Sequence, residues 1–258
     1  LKDRAASRMM VINRKKETIS HHHFREFPDL LPPDHLLVLN DTRVIPARVF
    51  SNDRKIELVR TDALDPSNWW CLVRPGKKMK PGRTIKVGSS TGTVIETNDK
   101  GERLIRWDNP PDLDKVGQLA LPHYMEREPE KADRERYQTV YAKEEGAIAA
   151  PTAGLHFTPE LLAGLDHAFL TLHVGVGTFR PVKAEDPREH DMHSERYSLN
   201  ADAASRMNSA PKIAAVGTTV GARAGRPPPL SIPQCMPRCT MLDLEPVPRR
   251  PIKWIDGG

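Results

Sequence analysis

No run of about 18 apolar residues occurs anywhere in this sequence, so no membrane-spanning helix is expected. The first residues, LKDRAASRMMV, carry neither a hydrophobic signal core nor a small-residue cleavage site, and the cytoplasm is the expected compartment. They also lack an initiator Met, which predicts that the natural chain starts further upstream. Cysteine is scarce. Cys71, Cys235 and Cys239 form an odd, scattered set that describes no disulfide framework. Cys235 and Cys239 have no His or Cys cluster beside them, so no metal site is expected there. Apolar residues are only 38% of the chain, low for a compact enzyme. Even so, 258 residues suffice for one large domain or two small ones with real cores.

The net charge of +5 is a poor guide to partners. Residues 220–258 hold six Lys and Arg against three acids and so account for +3, leaving +2 for residues 1–219. A local basic patch carries more information than that total. The same segment holds eight prolines and shows neither helical nor strand period. It is expected to be a disordered, Pro/Arg-rich tail, residues 220–258, unrelated to what precedes it.

Upstream the period changes twice. Residues 21–31 read as a short amphipathic helix with Phe24, Phe27, Leu30 and Leu31 on one side, stopped by Pro32 and Pro33. Leu36–Leu39 reads as a buried strand, and residues 44–50 as extended chain. From Ile56 to Trp107 the runs KIELVR, WWCLVR, RTIKVG, GTVIET and ERLIRW alternate between turn residues. They predict a small antiparallel barrel or sandwich. Beyond it, a helix is expected from Pro159 with Thr158 as its N-cap. HAFLTLHVGVGTF reads as a strand entering a Gly-rich turn, DAASRMNSA as a helix and KIAAVGTT as a strand. This alternation indicates an α/β part. The expected organisation is an α/β (mixed α+β) main part from residues 1–49 and 122–219, with a β-barrel insert at residues 50–121.

Four loops carry chemistry-bearing residues. Asn40-Asp41-Thr42-Arg43 follows a buried strand. Asp41 suits ribose hydroxyls and Arg43 a carboxylate, unless the segment is simply an Asx-turn. Arg74, Lys77, Lys78 and Lys80 put four cations within seven residues on one turn. They are a phosphate-contacting patch, or else a solvated turn. In AAPTAGLHFT, Thr152 and Gly154 lie where backbone N–H groups can approach an anion before a helix start. His156 there is either a site residue or a satisfied core histidine. HVGVGTF brings His173, Gly175, Gly177 and Thr178, and HDMHSE brings His193 and Glu195. The His spacing does not match a zinc helix, and acid–base work or ligand binding suits it better.

Together the runs LLVLNDTRVIPAR, CLVRPGKKMKPG, ERYQTVYAKEEGAIAAPTAGLHFTPELL, LTLHVGVGTFRPV, HDMHSERY and AAVGTT resemble the S-adenosylmethionine:tRNA ribosyltransferase-isomerase family of queuosine biosynthesis. They occur in the family's order over most of residues 1–219. The resemblance implies an α/β part joined to a small β-barrel. It also implies transfer and isomerisation of the ribosyl group of S-adenosylmethionine onto 7-aminomethyl-7-deazaguanine at the tRNA wobble position. The products would be epoxyqueuosine-tRNA, adenine and methionine. The partner would be tRNA with a GUN anticodon, the enzyme a monomer, and no metal would be needed.

The sequence departs from the family pattern in places. Residues 51–55 and 162–168 look short, and the resemblance stops near Thr219, as a reading-frame change would produce. An inactive fragment and a tRNA-binding module without catalysis are the alternatives. His156, His173 and His193 are the candidate bases, because imidazole titrates near neutrality. Asp41, Arg43, Thr152, Gly154, Gly175, Gly177, Thr178 and Glu195 are the candidate substrate-binding residues. Arg74, Lys77, Lys78 and Lys80 are the candidate tRNA contacts. The catalytic and substrate-binding side chains are expected to converge on one pocket of the α/β part.

Overall fold

The computed structural model of the chain describes residues 3–121, 125, 127–179, 195–224 and 239–241. The chain enters through an antiparallel hairpin, β1 (Arg8–Asn13) and β2 (Thr18–His23), with Ile12 opposite Ile19. The helix expected over residues 21–31 is therefore shorter. His21, His22 and His23 pair across the hairpin with Met10, Met9 and Arg8. A 3-10 turn follows at Phe24–Glu26, and the α-helix proper spans Phe27–Leu30. Phe24 and Phe27, three residues apart, are the side chains of this stretch that reach the core.

Strand β3 (His35–Asn40) is buried at every position. A strand covered on both faces has no solvent side to keep polar, hence the continuous apolar run. After Asp41 comes the short β4 (Thr42–Val44). Six antiparallel strands follow: β5 (Arg48–Phe50), β6 (Glu57–Asp65), β7 (Asn68–Arg74), β8 (Thr84–Val87), β9 (Ser90–Thr97) and β10 (Arg103–Trp107). Their order is β5-β6-β7-β10-β9-β8. Backbone and side-chain bonds from Asn52 to Lys86 and Gly88 tie the first strand's end to the last, so the sheet is nearly a closed barrel. Leu58, Trp69, Cys71, Val94, Ile105 and Trp107 fill its inside. That is the period-two signal of strands with one buried face. Burial pushes the Cys71 thiol well above its ordinary range, which removes it as a nucleophile.

β11 (Glu144–Ala147) returns to pair in parallel with β4. β12 (His167–Leu172), β13 (Tyr197–Ser198), β14 (Lys212–Ala215) and β15 (Cys239–Met241) join β3 in a five-stranded sheet, order β13-β12-β3-β14-β15. Only β13 runs antiparallel to its neighbour. On one face Leu36, Val38, Leu170 and Ile213 pack against Ala203, Met207 and Val220. On the other, Leu37, Leu39, Ala214 and Val216 pack against Phe24, Phe27, Phe157 and Leu162. The fold is thus a mixed α/β part with a barrel-like antiparallel sheet inserted between β4 and β11.

The helix Pro159–Ala163 has the expected cap, with Thr158 Oγ1 accepting from Leu161 N at 3.3 Å. The helix Thr218–Ala224 runs across the expected boundary at residue 219, because fully buried Val220 fills the core beneath the sheet. Of the expected tail, Cys239–Met241 pairs in register with Ile213–Ala215. Residues 225–238 and 242–258 lie outside the described residues. Among the described residues, no helix is long and apolar enough to cross a membrane.

Candidate active site

Parallel strands β3 and β12 end side by side, and their carboxyl ends are where an α/β sheet opens a crevice. Asn40, almost fully buried, staples the two ends together. Its Nδ2 donates to Leu172 O at 2.9 Å, while its Oδ1 accepts from Leu172 N at 3.0 Å and Thr42 N at 3.1 Å. With that staple in place, Thr42 Oγ1 meets His173 Nδ1 at 2.8 Å. Behind the imidazole lies Gly146, at φ +151°, where a Cβ would come within 2.8 Å of the ring. A glycine is required there both for the backbone conformation and for the ring's position. Burial holds the His173 pKa below the ordinary imidazole value, against the opposing charges of Asp41 and Glu144.

His173 opens into a cavity of about 740 Å3 between the sheet end and the barrel, within the range of small-molecule sites. From the α/β side come Glu145, Gly146, Gly175, Gly177 and Glu195. Glu195 Oε1 accepts from Gly175 N at 3.1 Å, which fixes the Gly-rich turn against the strand that follows. From the barrel come Arg60, Asp62, Trp70, Asn98, Lys100 and Glu102. Arg196, next to Glu195, forms an ion pair with Asp62 and so bridges the two walls.

The sequence candidates fall into three groups. His173, Gly175, Gly177 and Glu195 line this cavity. Arg43 is exposed and pairs with the lining residue Glu145 at 3.7 Å. Asp41 is beside Thr42 but turned to Thr171, whose hydroxyl donates to Asp41 Oδ1 at 2.6 Å. Burial raises the Asp41 pKa. Thr152, Gly154 and His156 sit elsewhere. Thr152 is exposed on a 3-10 turn. Gly154 makes room for the Tyr141 hydroxyl, which a Cβ would meet at 2.1 Å. His156 Nδ1 bonds Ser7 Oγ at 2.9 Å, and its ring lies 5.4 Å from Phe24. It is drawn to that side because Phe157 beside it is locked into the aromatic cluster of Phe24 and Phe27. The expected convergence is therefore partial. The Thr178 side chain and all of His193 lie outside the described residues. Arg74, Lys77, Lys78 and Lys80 are exposed at the β7–β8 turn. No cluster of three or more metal-binding side chains occurs among the described residues.

The barrel wall is what residue patterns alone did not find. One signal was present: Trp69 and Trp70 are adjacent on a strand, so their rings must point to opposite faces. Trp69 is buried inside the barrel and Trp70 faces the cavity.

A family model described as queuosine biosynthesis protein matches residues 1–224. The S-adenosylmethionine:tRNA ribosyltransferase-isomerase of Thermosynechococcus vestitus is 46% identical over 239 residues, covering 84% of this chain and 66% of that protein. The enzyme of the same name from Desulfitobacterium hafniense is 45% identical over 235 residues, covering 84% of this chain and 68% of that one. A crystal structure of S-adenosylmethionine tRNA ribosyltransferase from Thermotoga maritima is 27% identical, covers 83% of this chain and 62% of that one, and superposes with a TM-score of 0.32. The chain spans about two thirds of the length of the curated relatives it matches.

Proposed function

The chain belongs to the queuosine biosynthesis protein family, and from that premise we propose that it transfers and isomerises the ribosyl group of S-adenosylmethionine onto 7-aminomethyl-7-deazaguanine at the wobble position of tRNA. The match along residues 1–224 carries this reading. In the reaction the exocyclic amine of the base forms a bond to the ribosyl carbon skeleton, adenine and methionine leave, and an epoxide-bearing cyclopentane remains on the tRNA. The sulfonium acidifies the neighbouring ribose carbon, so a positioned base can start the sequence.

His173 is the base we assign. If Nδ1–H is donated to Thr42 Oγ1, and the Thr42 hydroxyl to Glu144 O at 3.5 Å, the lone pair is left on Nε2. The depressed pKa keeps that nitrogen unprotonated at neutral pH. The backbone of the Gly175–Gly177 turn and the carboxylate of Glu195 are placed to hold the donor's polar groups. Asp41, Arg43, Thr152, Gly154, Thr178, His156 and His193 remain candidates for binding or proton transfer. Single alanine variants of the histidines, read by adenine release, rank them.

We further assign the exposed turn with Arg74, Lys77, Lys78 and Lys80 to tRNA phosphates, with a GUN-anticodon tRNA as the partner. The enzyme would act as a cytoplasmic monomer. Neutralising all four side chains is expected to weaken tRNA binding and to flatten the dependence of log K on log salt by about 0.7–0.9 for each phosphate no longer neutralised. Unchanged tRNA affinity with lost S-adenosylmethionine affinity would reverse the assignment. The proposal as a whole is tested by incubating the chain with S-adenosylmethionine and tRNA bearing the aminomethyl base. Adenine should appear only when both are present.

A further inference from the structure

We infer that the barrel wall of the cavity is the subsite for the modified base: the ring stacks on Trp70, and the Glu102 carboxylate accepts from the base's guanine-type edge. This rests on the ribosyl-transfer reading and adds the half of the site that holds the acceptor. Strand register gives the placement. Asp62 on β6 and Leu104 on β10 lie directly opposite Trp70 on β7, and Glu102 is two residues before Leu104. Asp62 and Trp70 therefore share the outer barrel face, and Glu102, just before β10 begins, lines the cavity with them and with His173.

The two carboxylates are not equivalent. Asp62 is engaged by Arg196. Glu102 Oε2 accepts from Asn98 Nδ2 at 2.8 Å, and its Oε1 has no hydrogen bond among the described residues. An aromatic face beside an open carboxylate fits a base extruded from the nucleic acid, which is read by stacking and by bonds to its pairing edge. A 7-deazaguanine presents two donors there, the ring N1–H and the 2-amino group, and a carboxylate has only acceptors to offer. An adenine presents an acceptor at N1 instead, so the adenine of the donor is disfavoured at this wall. The phosphate patch points the same way. Arg103, the neighbour of Glu102, donates to Gly76 O at 3.0 Å and Met79 O at 3.1 Å, and so holds the turn of Lys77 and Lys78 to the start of β10, beside Glu102.

The test is binding of free 7-aminomethyl-7-deazaguanine to the intact chain by calorimetry, which needs no turnover. Trp70→Ala is expected to weaken binding by roughly tenfold or more, and Trp70→Phe by much less. Glu102→Gln should lose the preference for the guanine-type base over its adenine-type analogue. S-adenosylmethionine affinity should stay within a few-fold in all three variants. Thermal melts matching the unaltered chain exclude misfolding. Base affinity indifferent to Trp70 and Glu102, or loss of S-adenosylmethionine affinity instead, overturns the inference. A chain that binds the base in this Trp70-dependent way yet releases no adenine supports the subsite and counts against the transfer reaction alone.

Discussion

Replacing His173 with alanine is expected to lower the rate of adenine release by about 10²–10⁴-fold, while tRNA affinity changes little. The imidazole is held by Thr42 Oγ1 on one side and by the bare backbone of Gly146 on the other. On the proposed reading, a side chain so fixed acts in the transition state and not in the grip on a polyanion. The pH profile carries a second signature. Burial lowers the His173 pKa below the ordinary value near 6.5. A group acting as base is active when neutral, so the rate should be on its plateau at pH 7 and fall only as pH drops below about 6.5. The sign for stability is the same. Between the lowered folded pKa and the unfolded one, the unfolded chain binds more protons, so acid favours unfolding there. A rate that rises on acidification, or a His173→Ala variant within a few-fold of the parent, would remove His173 from the role of base.

The second large effect belongs to Asn40. Asn40→Leu keeps the branched shape but strands the Leu172 N–H and C=O and the Thr42 N–H at a buried strand end. Each unsatisfied buried group costs about 1–3 kcal/mol, so a loss of roughly 3 kcal/mol or more is expected, a large part of an ordinary domain's stability. Urea denaturation reads it as a lower midpoint with an unchanged slope. Activity should fall too, because Thr42 loses the anchor that aims its hydroxyl at His173. A midpoint shift worth less than about 1 kcal/mol would mean that the strand ends are held by the neighbouring backbone pairing alone.

Much of the fold is legible in the sequence, for identifiable reasons. The barrel strands announce themselves as short apolar runs between turn residues, in which buried Leu58, Trp69, Val94 and Ile105 each have a polar residue on one side, Glu57, Asn68, Thr93 and Arg106. β3 is legible as an unbroken apolar run, and the Thr158–Pro159 helix start by its cap chemistry. The β1–β2 hairpin was not legible. Met10, Ile12 and Ile19 are all exposed, and the other face of β1 is only half-buried, with Met9 against the core, so apolar residues fall on both faces and the period is blurred. The site divides in the same manner. Its α/β half was readable because glycines beside His173 mark a strand giving way to a turn. Its barrel half was not, because Arg60 and Asp62 on β6, and Glu102 just before β10, look like ordinary solvent-facing charges. The approach of Arg196 to Asp62, from a distant part of the chain, shows that this face is covered. The packing around His156 was not legible either. Its small and apolar neighbours in sequence do not show that its ring lies against Phe24 and that Phe157 beside it packs with Phe24 and Phe27.

The most direct measurement is the fate of isotope-labelled S-adenosylmethionine in a reaction with tRNA carrying the aminomethyl base. With label in the ribose carbons, ribosyl transfer predicts label in the modified nucleoside, with adenine and methionine released in equal amounts. Label remaining entirely in small-molecule products while the tRNA stays bound, or transfer of the methyl carbon in place of the ribose, would contradict it.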